Sequence, residues 1–248
     1  MRTRFRESEE RSLRTVSVAV PLLLAAALAL QIFAHGRQAP PLARAEALSP
    51  APAAGILRAA SFGEPIVAAQ LSVLHLQAFD NQPGISIPFS ALDYDRVMSW
   101  LETALQLDPH SAYPLMMASQ LYGQVSDETR QRMMCEFVHA RFLEAPDLRW
   151  RWLAHCAIMA KHRLRDRPLA LRYATDISRH AGAASGWARQ MRIFILEDMG
   201  ETGSAKVLLG GLLATGEVTD PGELHFLTER LQALEKAEKG AGASKNRQ

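Results

Sequence analysis

The sequence predicts an all-α protein: an apolar helix near the N-terminus, then a stack of about four antiparallel helix pairs closed by a capping helix. Three observations predict it. A run of 20 residues, Thr15 to Ala34, carries no charge. Beyond it, helix-stop and helix-start residues punctuate the chain at helix-length intervals, while ISIPF (residues 85–89) is too short and proline-broken for a credible strand. Finally, a large apolar residue follows each inter-pair break: Leu115, Trp150 and Trp187, separated by 35 and 37 residues.

Composition bounds the alternatives. The chain has 248 residues, 48% hydrophobic and 22% charged, with 2 Cys, which is enough for one domain with its own core beside the apolar run. A disulfide-stapled miniprotein, a collagen-like repeat and a wholly disordered chain are excluded. A multi-span transporter is excluded as well, since only one stretch has the required length. A formal charge of +2 does not favour nucleic acid as partner.

The elements follow in order. Residues 1–14 form a basic tail with Arg2, Arg4, Arg6, Arg11 and Arg14. Residues 15–34, at ~1.5 Å rise per residue, span about 30 Å, the thickness of a bilayer core. Five arginines precede the run and two, Arg37 and Arg44, follow closely, which puts the N-terminus in the cytoplasm and the bulk of the chain across the membrane. The rival reading is a signal peptide cleaved near Ala43-Arg44-Ala45; the run exceeds the ~7–15 residues of a typical signal core. Residues 35–55 are Pro/Ala-rich and read as a semi-extended spacer.

A helical domain is expected over 56–239, with a frayed tail at 240–248. Its first helix begins near Glu64-Pro65 and runs through Phe79. Ser90, with Asp93 three residues on, reads as the cap of a helix to about Leu107, stopped by Asp108-Pro109. Ser111 opens a helix to about Tyr122, and Ser126 opens one that stops before Pro146. Further helices are expected over Asp147–His162, Asp166–Ala181, Ser185–Met199 (closed by Gly200) and Thr202–Ala214. Asp220-Pro221-Gly222-Glu223 starts a last helix to about Ala237, with Leu224, Leu227, Leu231 and Leu234 as its apolar stripe.

The stretch WLETALQLDPHSAYPLMMASQLYG, Trp100 to Gly123, resembles the tetratricopeptide repeat, a helix–turn–helix unit of about 34 residues. Ala104 matches the small residue of a second repeat helix, and Leu115, Ala118, Ser119 and Tyr122 match the next first helix. Arg149-Trp150 repeats the junction after Ala145-Pro146, and Leu196 to Leu213 repeats the inner turn. Met191 departs from the pattern where a small residue is expected, and the third pair fits only with a shift. The resemblance covers roughly residues 92–215. It implies a right-handed α-solenoid whose first helices line a concave protein-binding face at Tyr113, Met116, Gln120, Arg151, His155 and Arg192. The whole chain is also similar to envelope proteins of Gram-negative bacteria that bring no activity with them.

Cys135, His139, His155 and His162 crowd together in sequence, and they define an alternative reading as a metal-dependent or enzymatic accessory factor. They lack paired CxxC or HExxH spacing. Cys135 and Cys156 lie equally far from the turn at 145–146, so an antiparallel hairpin sets them at one height; a disulfide and two reduced core thiols both remain open. Lys161 to Arg167 is a basic loop that suits acidic segments or lipid headgroups, or simply local carboxylates. Met116, Met117, Met133, Met134, Met159 and Met191 suit either an adaptable groove or core filling. Gly182, Ser185 and Gly186 lack the spacing of a nucleophile elbow. The expectation is therefore a non-catalytic scaffold in a bacterial inner membrane, held in lipid by Thr15–Ala34, with its repeat domain periplasmic. It binds another envelope protein and uses no cofactor, metal, nucleic acid or small-molecule substrate. A permanent structural subunit of a membrane complex is the third possibility.

Overall fold

The computed structural model describes residues 17–37, 45–216 and 218–245. The basic tail, Thr15, Val16 and residues 38–44 of the spacer lie outside the described residues. The chain divides into two units, residues 1–44 and 45–248.

The first unit holds α1, Ala19–Gly36, which is long and apolar enough to cross a membrane. None of its side chains is buried. Helix α1 begins four residues later than the apolar run, so Pro21 falls in its first turn, where the missing N–H has no helical acceptor to lose.

The second unit is a series of helix pairs. A short helix, α2 (Ala54–Ala60), precedes α3 (Pro65–Ala78) and α4 (Tyr94–Leu107). Next come α5 (Tyr113–Met116) and α6 (Glu128–Glu144), then α7 (Pro146–His162) and α8 (Arg167–His180). The pair α9 (Gly186–Asp198) and α10 (Thr202–Thr215) is followed by α11 (Pro221–Lys245). Consecutive helices pack on one another throughout, so four pairs and a terminal helix match the expected architecture. Helix α2 begins within the last two residues of the expected spacer and precedes the first helix expected from the sequence, and α11 runs past the expected end near Ala237. The spacer's last residues also dock. Leu48 is buried, and Trp100 Nε1 donates to the Ser49 carbonyl at 2.9 Å.

Local chemistry explains the boundaries. Asp93, not Ser90, caps α4: its carboxylate accepts from the N–H groups of Asp95 and Arg96, while Ser90 sits in a single 3-10 turn, Phe89–Ala91. Asp127 and Asp166 likewise cap α6 and α8. Gly200 and Gly216 take φ of 82° and 67° at helix ends, the left-handed region that glycine enters without penalty. Between α3 and α4 the chain makes a minimal hairpin, β1 (Asn81–Gln82) with β2 (Ile85–Ser86), turning at Gly84. This small strand pair is absent from the sequence reading.

The helix after Ser111 departs most from expectation. Helix α5 passes at Met117 into a π turn, Met117–Leu121, and then a 3-10 turn, Tyr122–Gln124. Gly123 permits this, because a Cβ there would lie 2.9 Å from the Ala118 carbonyl oxygen.

Each pair buries what the repeat pattern marks. Ala104, Leu115, Ala118, Ser119 and Tyr122 are all fully buried in one continuous core reaching from Leu48 to Ile195. Trp150 is buried and meets the exposed Trp187 edge to face, ring centres 5.9 Å apart. A second cluster, Ile193, Ala205, Leu209, Leu227 and Leu234, fastens α11 to the last pair. Polar contacts repeat the period. Gln77 Nε2 bonds Tyr113 Oη (2.6 Å), Arg141 bonds Glu102 (2.9 Å), His139 bonds Asp176 (2.7 Å), and Ala183 N bonds Asp147 Oδ1 (2.8 Å). Their partners stand 36, 39, 37 and 36 residues apart. A helix therefore touches its equivalent one unit along, which is the contact geometry of a stacked repeat.

Candidate functional site

Helix α3 is apolar on nearly every side. At 100° per residue, Ala68, Ala69, Ser72, Val73 and Leu76 share the arc that is buried. The opposite arc stays in solvent: Val67 is 49% exposed, Leu71 60% and Leu74 57%. Ahead of it, Phe62 is 98% exposed and holds φ of 53°, a costly conformation for a bulky residue, followed by Gly63 at φ 89°.

This ridge stands between two grooves. One, about 490 Å³, is lined by Leu57, Phe62, Val67, Leu71, His75 and Trp100, among others. The other, about 360 Å³, runs along Gln70, Leu74, Gln77, Asp108, Tyr113 and Pro114. Gln77 and Tyr113 are tied by their hydrogen bond, which fixes the floor of the second groove. Contiguous exposed apolar surface of this kind marks a contact site more often than it decorates a monomer. The composition of α3 contains the signal, a helix apolar all round, but not which side lacks a neighbour.

The six residues predicted for a concave face occupy several places. Tyr113 lines the α3 groove. Met116 is half-buried and packs against the main core. Gln120 lines a third cavity, about 630 Å³, with Phe89, Gln124 and Arg130. His155 reaches that neighbourhood through Gln124 Nε2 at 3.0 Å; burial and the nearby Arg163 guanidinium hold its pKa below the ordinary value. Arg151 is exposed and lies over the Trp150 ring at 5.4 Å. Arg192 lines a cleft of about 510 Å³ between α9 and α10 with Ser178, Arg189, Leu212, Thr215 and Glu223. Burial, and then the nearby Arg179 guanidinium, lower its pKa from the ordinary arginine value. Tyr113, Gln120 and Arg192 thus line three different cavities, and Met116, Arg151 and His155 lie outside the linings of all three.

The histidine–cysteine set also disperses. Cys135 and Cys156 are buried together, His139 bonds Asp176, and His155 bonds Gln124. Among the described residues no three His, Cys, Asp or Glu side chains converge as a metal site needs. The His139 pair belongs to a network that reaches from the core to the surface: Tyr173 Oη donates to Glu136 Oε1 at 2.9 Å, the exposed Arg172 also bonds Glu136, and the His139 and Tyr173 rings lie 5.1 Å apart. It ties α6 to α8. Burial drives the Cys156 thiol well above its usual pKa, the opposite of an activated nucleophile.

Two further motifs make contacts within the fold. In the basic loop, Lys161 pairs with Asp198, Arg163 donates to Gln124, and Asp166 pairs with Arg132 at 2.9 Å. Of the methionines, Met117, Met134 and Met159 are buried, and Met116, Met133 and Met191 pack against the core. No protein-family model, curated protein or solved structure matches this chain.

Proposed function

We propose that this protein is a membrane-anchored helical-repeat scaffold, without catalytic activity, that holds another envelope protein on the periplasmic side of a bacterial inner membrane. The observation that carries the reading is the solvent-facing apolar ridge of α3 with a groove on either side. A groove–ridge–groove surface of this width accepts an amphipathic helix, whose apolar side chains straddle Leu71 and Leu74. Each large apolar side chain that such a helix covers contributes roughly 1.5–3 kcal/mol when fully buried. The tetratricopeptide-like placement of Leu115, Ala118, Ser119 and Tyr122 supports a binding role by resemblance, and the arginine excess ahead of the apolar run supports an N-in orientation.

Site-specific photocrosslinking in native membranes tests this. A probe at Leu71 or Leu74 should yield one protein adduct of defined mass, abolished by L71E/L74E and retained in L143E, which alters an exposed residue of α6. Adduct formation unchanged by L71E/L74E overturns the α3 face. If R151E/R192E alone abolishes the adduct, the binding surface lies on the first helices instead.

A further inference from the structure

Cys135 on α6 and Cys156 on α7 are free thiols, both fully buried in one continuous core, on two consecutive helices that pack against each other. The turn at Ala145-Pro146 is short, so equal distance from it places the two residues at one height on adjacent helices. Neither is engaged by a metal cluster among the described residues. The pair also bridges a particular boundary: α6 closes the second helix pair and α7 opens the third.

We propose that Cys135 and Cys156 form a disulfide that joins the two halves of the repeat stack at this boundary. The proposal rests on the reading that places the helical domain outside the cytoplasm, where disulfides form and persist. The oxidant is a disulfide-bearing thiol oxidant of the envelope. One cysteine thiolate attacks a sulfur of the oxidant's disulfide, giving a mixed disulfide and a free oxidant thiol. The second cysteine thiolate then attacks the first cysteine's sulfur, forming the Sγ–Sγ bond and releasing the oxidant as a dithiol. Two protons and two electrons leave the protein. Because neither sulfur is exposed in the folded domain, the exchange precedes the closing of α6 on α7. In a stack whose units contact only their neighbours, a covalent link between units couples them where they would otherwise separate. Closing a loop of about 20 residues favours the folded state by roughly 300-fold on the chain-entropy model.

The test uses the full chain in its native membrane. Cells are acid-quenched, denatured and treated with a polymer-linked maleimide, with and without prior reduction, while spheroplasts are treated in parallel with an impermeant protease. The bridge predicts no adduct before reduction and two after, with the domain cut by protease. Two adducts before reduction in a protease-sensitive domain overturn the bridge alone. Two adducts in a protected domain overturn the compartment reading and the bridge with it. On purified protein, reduction should lower the folding constant of wild type by roughly 300-fold and leave C156A unchanged; equal stability of wild type before and after reduction overturns the stapling role.

Discussion

Arg149 offers the sharpest quantitative test of how the units are joined. It is buried at the start of α7, yet its guanidinium has three partners from two other segments. One nitrogen donates to the Arg141 carbonyl at 2.6 Å and pairs with Glu144 at 2.9 Å; the other donates to the Pro109 carbonyl at 3.2 Å. Arg141 lies in the last turn of α6, whose carbonyls have no helical donor, so Arg149 caps α6 while gripping the α4–α5 turn. Replacement by Ala removes three charge-assisted bonds and strands two carbonyls. At about 1.5–3 kcal/mol per such bond the gross loss is large. Two terms offset it. Glu144 is half exposed and returns to water, and a buried cation no longer needs desolvation. The net expectation is about 2–4 kcal/mol, or a Tm lower by roughly 4–15 °C for a domain of this size. Thermal unfolding of the full chain in mild detergent, followed by circular dichroism, measures it. R149K, which keeps the charge but not the fork, should fall between the two. A drop of less than about 1 °C for R149A would show that the junction is held by apolar packing alone.

Other predictions use the same assay. G123A places a Cβ 2.9 Å from the Ala118 carbonyl and 3.4 Å from Met159 Cε, so it should cost about 1–3 kcal/mol by forcing the π turn to shift; an unchanged Tm refutes the steric role of this glycine. The depressed pKa of His155 means that the unfolded chain takes up a proton first, so stability is complete above pH 6.5 and falls as the pH drops from there through the folded value. H155Q should flatten that slope, and a slope identical to wild type refutes the assignment. The Asp166 carboxyl is held below 3.8, chiefly by the Leu169 N–H and also by Arg132, so its contribution is present above that value and lost on acidification through the lower one. D166N keeps the cap but not the charge. The stability gap between it and wild type should close as the pH falls below about 4, and a gap independent of pH refutes the ionic part.

Much of the fold was legible because its signals are local. Asp108-Pro109, Asp166 and Gly200 stop or start helices by their own backbone chemistry, and each does so where the sequence indicates. Leu115, Ala118, Ser119 and Tyr122 were marked by spacing and are fully buried. Symmetry about one turn set Cys135 and Cys156 at one height, and both are fully buried. What escaped depends on three-dimensional neighbours. The π turn after Met116 brings the bare Gly123 backbone against the Ala118 carbonyl, a close approach that periodicity does not encode. Ser90 and Asp93 are both good caps, and the intervening 3-10 turn selects Asp93. The exposed arc of α3 was invisible because a helix apolar on all sides gives no hint of which side is left uncovered. Tyr113, Gln120 and Arg192 likewise line three different cavities, a placement that their spacing alone does not encode.

The recurrence of polar contacts between residues some 36 positions apart has a practical meaning. Such a molecule is organised as a queue, each member leaning only on those beside it. Excising or duplicating one whole hairpin leaves every remaining member with a shoulder of familiar shape, whereas removing a few residues from inside a hairpin puts everything after it out of step. Length is thus an adjustable property of this design, in units of one hairpin.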